Sequence, residues 1–96
     1  MPYINSKDRP KYDAVIDTLP PIESAGDLNY VITEICARYV LHRGLRYDHF
    51  LNVTAVLIDI ALEFKRRGTN VYEDKKIRDN GDTPGFKRLM KALSEL

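Results

Sequence analysis

The chain has 96 residues, 44% of them hydrophobic and 30% charged, with a net charge of +1 at neutral pH. That balance excludes a disordered chain and, at this length, predicts one domain spanning residues 1–96. No apolar run reaches the roughly 18 residues of a membrane span, and the opening MPYINSKDRPKYD lacks the apolar stretch of a signal peptide, so a cytoplasmic protein is expected.

Pro10 suits the first turn of a short N-terminal helix, with Asp8 as its N-cap. Tyr12, Val15, Ile16 and Leu19 keep helical spacing until Pro20-Pro21 stops the run. Glu23 to Gly26 then reads as a brief connection. The second helix is DLNYVITEICARYVLHRG, with Leu28, Val31, Ile32, Ile35 and Tyr39 as its apolar stripe. Asp27 suits its positive end, His42 and Arg43 its negative end, and Gly44 its C′ position. Asn29 and Thr33 fall on a line with Cys36 and Val40. Polar groups placed there need partners, which a helix–helix hydrogen bond or the wall of a pocket would provide.

The third helix, YDHFLNVTAVLIDIALEFKRRG, is the longest and most apolar. Only Asn52, Asp59, Glu63 and Arg66 gather into a polar stripe, with Val56 among them; almost every other direction is apolar. Such a helix must be covered on several sides, so residues 47–67 are expected at the centre of a bundle or in a subunit interface. Lys65, Arg66, Arg67 and Gly68 mark its end. His42 and His49, near the turn before it, are expected in surface or capping roles.

A fourth helix follows, in which Asn70 and Glu73 form a capping box and Asn80-Gly81 supplies the stop. Asp74–Arg78 and Glu73–Lys76 have the spacing of helical ion pairs. Tyr72 and Ile77 do not share a face, so this segment has no apolar stripe, and something outside it must hold it in place. Thr83-Pro84 then opens a last helix running to about Leu96, with Phe86, Leu89, Met90 and Leu93 on its apolar face. The expected fold class is all-α: a bundle of four main helices plus a short N-terminal one.

Chemistry has few places to reside. Cys36, the only cysteine, makes no internal disulfide and no zinc cage with the two histidines; a small buried hydrophobe is expected. Residues 1–63 hold six Lys/Arg against nine Asp/Glu, a balance of −3, and residues 64–96 hold nine against five, a balance of +4. The overall charge does not favour a nucleic-acid partner, yet the C-terminal third is basic. Arg66 and Arg67 close the third helix, and Tyr72, Lys75, Lys76 and Arg78 follow within a few residues. Guanidinium groups grip phosphate or carboxylate bidentately and an aromatic ring stacks on a base, so a nucleotide, another anionic ligand or an acidic partner fits this cluster.

The alternative is a magnesium-dependent enzyme. Glu34, Asp59, Glu63, Glu73 and Asp74 are the oxygen ligands that a hard cation would take. All-α nucleotide pyrophosphohydrolases use paired Glu-x-x-Glu and Glu-x-x-Asp spacings, whereas Glu34 is followed at i+3 by Ala37 and Glu63 by Arg66. A third reading is a purely structural or protein-interaction module whose apolar third helix is an interface. A chain this short gains core by oligomerising, so a homo-oligomer is expected.

MPYI at the start, GDLNYVIT at 26–33, Asn52, EFKRR at 63–67 and YEDKKIRDNGD at 72–82 together resemble a family of short, uncharacterised proteins from phage and environmental genomes. The resemblance covers roughly residues 1–83. The family form carries a Gly where this chain has Ala55 and Val56, FYRR where it has Phe64-Lys65-Arg66-Arg67, and NGDV where it has Asn80-Gly81-Asp82-Thr83. The resemblance implies that Asn29, Tyr30, Thr33, Glu63, Arg67, Tyr72, Glu73, Lys76, Asn80 and Asp82 form one shared pattern. It implies an accessory or host-interaction role of phage type and brings no activity with it. The binding residues expected from sequence are therefore Arg66, Arg67, Tyr72, Glu73 and Lys76, with Asn29 and Thr33, in a small non-catalytic binding protein.

Overall fold

The structure, a computed structural model, describes residues 3–96. Met1 and Pro2 of the MPYI stretch lie outside the described residues. The all-α expectation holds: the described residues contain helices and turns and no strand. After a 3₁₀ turn at Ser6–Asp8 come α1 (Pro10–Ile16), α2 (Ala25–Arg43), α3 (Tyr47–Phe64), α4 (Asn70–Asn80) and α5 (Pro84–Ser94). The chain divides into two units, Met1–Leu45 and Arg46–Leu96.

In the first unit, Pro10 takes the first turn of α1 as its fixed φ requires. Asp8, however, sits inside the 3₁₀ turn, and the N-cap residue is Arg9, which is itself helical. The Arg9 Nε–H instead donates to the Ile4 carbonyl at 3.1 Å. The helix ends at Ile16, ahead of Leu19, and Leu19, Pro20, Pro21 and Ile22 line an open depression together with Asp27, Tyr30 and Val31 of α2. That helix begins two residues before Asp27. Ser24 is its N-cap, its Oγ accepting the Asp27 N–H at 3.0 Å. At the far end Gly44 takes φ 115° and ψ 152°, and its N–H donates to the Val40 carbonyl at 2.8 Å.

The second unit departs from expectation where its first two helices meet. No break separates the third and fourth helices. Lys65–Thr69 forms a π-helical segment, in which the Asn70 N–H donates to the carbonyl of Lys65, five residues back. It joins α3 to α4 as one run of helix. Gly68 has no positive φ, and Asn70 is helical at φ −64°, so neither acts as the expected stop or cap. The Asn70 Oδ1 accepts a hydrogen bond from Lys65 Nζ at 3.3 Å, and no side chain caps α4. This continuity answers how a helix without an apolar stripe is held: it extends a longer one.

Gly81 then takes φ 83° and ends α4, its N–H on the Ile77 carbonyl at 2.8 Å. Thr83 caps α5 as expected, its Oγ1 accepting the Phe86 N–H at 3.1 Å, with Pro84 in the first turn.

A Cβ added at Gly68 would meet nothing within 4 Å. Replacing Gly68 with Ala removes backbone entropy from the unfolded chain with no strain in the folded one. The expected result is a rise in unfolding free energy of about 0.4–1 kcal/mol in a denaturant titration. A loss of that size would mean that the chain breaks at Gly68 after all.

Burial is scarce. Among the described residues only Val40 of α2 and His49 of α3 are buried, at 6% and 7% exposure. His49 thus leaves the surface role expected of it, and Cys36 is half-buried rather than enclosed. The apolar faces are open. Leu28, Ile32, Ile35 and Tyr39 of α2 are exposed, as are Phe50, Leu57, Ile60 and Phe64 of α3 and Phe86, Leu89, Met90 and Leu93 of α5. The covering that the sequence demands of α3 is not supplied within its own unit.

Candidate functional site

The π segment positions the most distinctive group of side chains. Such segments are rare and frequently mark functional sites, because the widened turn re-aims the residues that follow. Arg66 and Arg67 lie within it, and both turn back to Glu63 in the last turn of α3. The Arg66 Nη2 donates to Glu63 Oε1 at 3.0 Å and to Oε2 at 3.2 Å, and its Nε donates to Oε1 at 3.3 Å. Arg67 Nη1 stands 3.7 Å from Glu63 Oε2. One carboxylate therefore lies between two guanidinium groups in the fork geometry that these groups offer to any planar anion. The Glu63 side chain is 32% exposed, against 69% and 62% for the two arginines, so the carboxylate is the more sheltered partner.

Further along, Lys76 Nζ sits 5.5 Å from the centroid of the Tyr72 ring. This cation–π contact replaces the Glu73–Lys76 ion pair expected from spacing. Asp74–Arg78 is likewise not formed: among the described residues no ion pair lies within α4. Tyr72 is exposed and its ring is accessible for stacking. Glu73 sits in the first turn of α4, in the interior of the continuous helical run.

Arg66, Arg67, Tyr72, Glu73 and Lys76 thus belong to one unit and follow one another across the junction of α3 and α4. Asn29 and Thr33 belong to the other unit. Thr33 Oγ1 donates to Asn29 Oδ1 at 3.0 Å, so the partners these residues need are each other, within α2, and not a neighbouring helix. With Ala25, Gly26 and Tyr30 they line an open groove along the first turns of α2.

Two carboxylates of the alternative metal reading are paired with arginines. Glu34 pairs with Arg38 Nε at 3.5 Å and Glu63 with its two arginines. Among the described residues no three His, Cys, Asp or Glu side chains are grouped to hold a metal ion. Two features escaped sequence reasoning. Ser24 carried a legible signal, the S-x-x-D spacing to Asp27. The role of Glu63 was legible too, as a carboxylate three and four residues ahead of two arginines.

Fold and site together define an all-α protein with exposed apolar helix faces and a basic, aromatic junction between two helices. Residues 1–83 match the family defined as a domain of unknown function, DUF6899, and the chain belongs to that family. The match takes in the π segment and α4 and stops before α5. Comparisons with curated proteins and with solved structures give no match. Among the described residues no helix is long and apolar enough to cross a membrane.

Proposed function

We propose that the chain is the subunit of a non-catalytic homo-oligomer that binds an anionic ligand, a nucleotide or an acidic partner group, at the α3–α4 junction. The observation that carries this reading is the open apolar surface: α2, α3 and α5 each leave large apolar side chains exposed, and nearly nothing in either unit is buried. Exposed apolar area on this scale marks an interaction surface. A phage-type accessory role in the cytoplasm goes with this reading, on the strength of the family pattern.

The ligand half of the reading rests on Arg66, Arg67, Tyr72 and Lys76. Glu63 already fills the guanidinium fork, so an incoming phosphate or carboxylate competes with it for Arg66 and Arg67. Calorimetric titration with a panel of nucleoside triphosphates and cyclic dinucleotides tests this. Arg67→Ala is expected to weaken binding at least tenfold, whereas Glu63→Gln, which leaves the fork cationic without its internal anion, strengthens it. A panel with no binder, or a binder indifferent to both substitutions, removes the ligand half of the reading and leaves a self-assembling module.

A further inference from the structure

Among the exposed apolar side chains of α3, which also include Leu51, Val56, Ile58 and Leu62, one row forms a seam. Phe50, Val53, Leu57, Ile60 and Phe64 recur at alternating steps of three and four, the spacing with which a helix interlocks along a second helix. No charged residue occupies the seam, and it spans about 21 Å at 1.5 Å per residue. Phe50, Leu57, Ile60 and Phe64 are 38–72% exposed. The next position of the pattern is Arg67, so the seam stops where the binding junction begins.

We infer that the seam of α3 is occupied by the α3 seam of a second copy, the two helices running antiparallel about a twofold axis near Leu57. This rests on the homo-oligomer reading and adds the surface and its direction. The area supports a second copy. The chain exposes 8810 Å², whereas two separate compact bodies of half its mass each, however arranged, would expose about 6,800 Å² between them. The excess, roughly 2,000 Å² per copy, is the amount each partner loses in a permanent interface of about 2,000–5,000 Å² in total.

The charges support the direction. Lys65, Arg66 and Arg67 cluster at the C-terminal end of α3 and Asp48 lies in its first turn. A parallel pair would set the two basic ends side by side. An antiparallel pair separates the two basic ends, sets each beside the neutral Arg46–Asp48 pair (3.2 Å) at the start of its partner's α3, and opposes the two helix dipoles. It also places the two ligand-binding junctions at opposite ends of the seam, one for each subunit.

Cysteine cross-linking with a short bismaleimide tests the pairing, in a chain whose Cys36 has first been replaced by Ser. Leu57→Cys near the twofold axis is expected to convert most of the chain to covalent dimer. Phe50→Cys alone should not, while an equimolar mixture of Phe50→Cys and Phe64→Cys should. Circular dichroism checks that each variant is folded. A spin label at Lys65→Cys, outside the seam, gives a second readout, with an expected label separation of about 20 Å or more set by the helical rise. Self-linking of Phe50→Cys, or a short Lys65 separation, overturns the antiparallel pairing. A stable oligomer in light scattering that neither links at Leu57 nor shows this separation overturns the seam while leaving self-assembly intact. A monomer at tens of micromolar, including one that binds lipid vesicles through the same face, overturns both.

Discussion

Leu57→Asp is expected to dissociate the protein. Leu57 sits in the middle of the apolar run of α3 and is 38% exposed within its own chain; in the proposed pairing the second copy covers it. An unpaired carboxylate at such a position loses its hydration on assembly and meets its own copy across a twofold axis. Sedimentation equilibrium should show self-association weakened at least a hundredfold, a loss of about 2.8 kcal/mol. Because the second copy stabilises the folded chain by mass action, the melting temperature of the native protein should rise with concentration, and that dependence should disappear in the variant. Asp59→Ala, on the polar stripe of the same helix, serves as the control and should change stability by no more than about 0.5 kcal/mol. Unchanged association of Leu57→Asp would mean that α3 is not where the subunits meet.

The second large effect concerns two glycines. Gly44 at φ 115°, ψ 152° and Gly81 at φ 83°, ψ 156° occupy a backbone region that is nearly closed to any residue with a Cβ. Each ends a helix by donating its N–H to the carbonyl four residues back, at 2.8 Å in both cases. Space is not the constraint, since a Cβ at either position would meet nothing within 4 Å. The cost is torsional, about 1–3 kcal/mol for each Gly→Ala change. In a chain of this size each kcal/mol lowers the melting temperature by about 4–8 °C, which thermal unfolding at fixed protein concentration would reveal. Gly68→Ala, with the opposite expected sign, completes the comparison. Three glycines near helix ends in the sequence thus divide into two that stop a helix and one that does not. If all three variants behaved alike, the continuity of α3 with α4 would be wrong.

These glycines show where sequence reading reaches its end. Gly44 and Gly81 were legible as stops because each follows a run of helix with a cationic last turn or an Asn-Gly pair. Gly68 follows Lys-Arg-Arg and precedes Thr-Asn, and so carries the same signals with at least equal force. A helix can continue through a glycine at a cost of only about 1 kcal/mol. The competing outcomes are therefore separated by less than local propensity resolves, and the π segment, which no composition announces, decides between them. In the same way Asn70 has the residue type of a cap and spends its side chain on Lys65 instead.

The site was partly legible for a related reason. Arg66, Arg67, Tyr72, Glu73 and Lys76 stand close together in the chain and follow one another along one helical run, where Arg66 and Arg67 meet Glu63 and Lys76 meets Tyr72. Their partners were less predictable, because ion pairs at i, i+3 and i, i+4 contribute only about 0.2–0.5 kcal/mol each. Lys76 consequently turns to the Tyr72 ring rather than to Glu73. Asn29 and Thr33 were recognised as polar groups in need of partners, but their spacing of four also lets them satisfy each other, and they do.

What the sequence by itself determined is the helical class, the stops at Gly44 and Gly81, the cap at Thr83 and the apolar circumference of α3. All of these follow from periodicity and backbone stereochemistry within a few residues. Only the structure decided that α3 and α4 are one run of helix and that the apolar faces stay open. That last outcome has a plain physical cause. Local sequence says which side chains must leave water, but which surface takes them in depends on what is available to cover them, and for α3 that surface is not in its own unit.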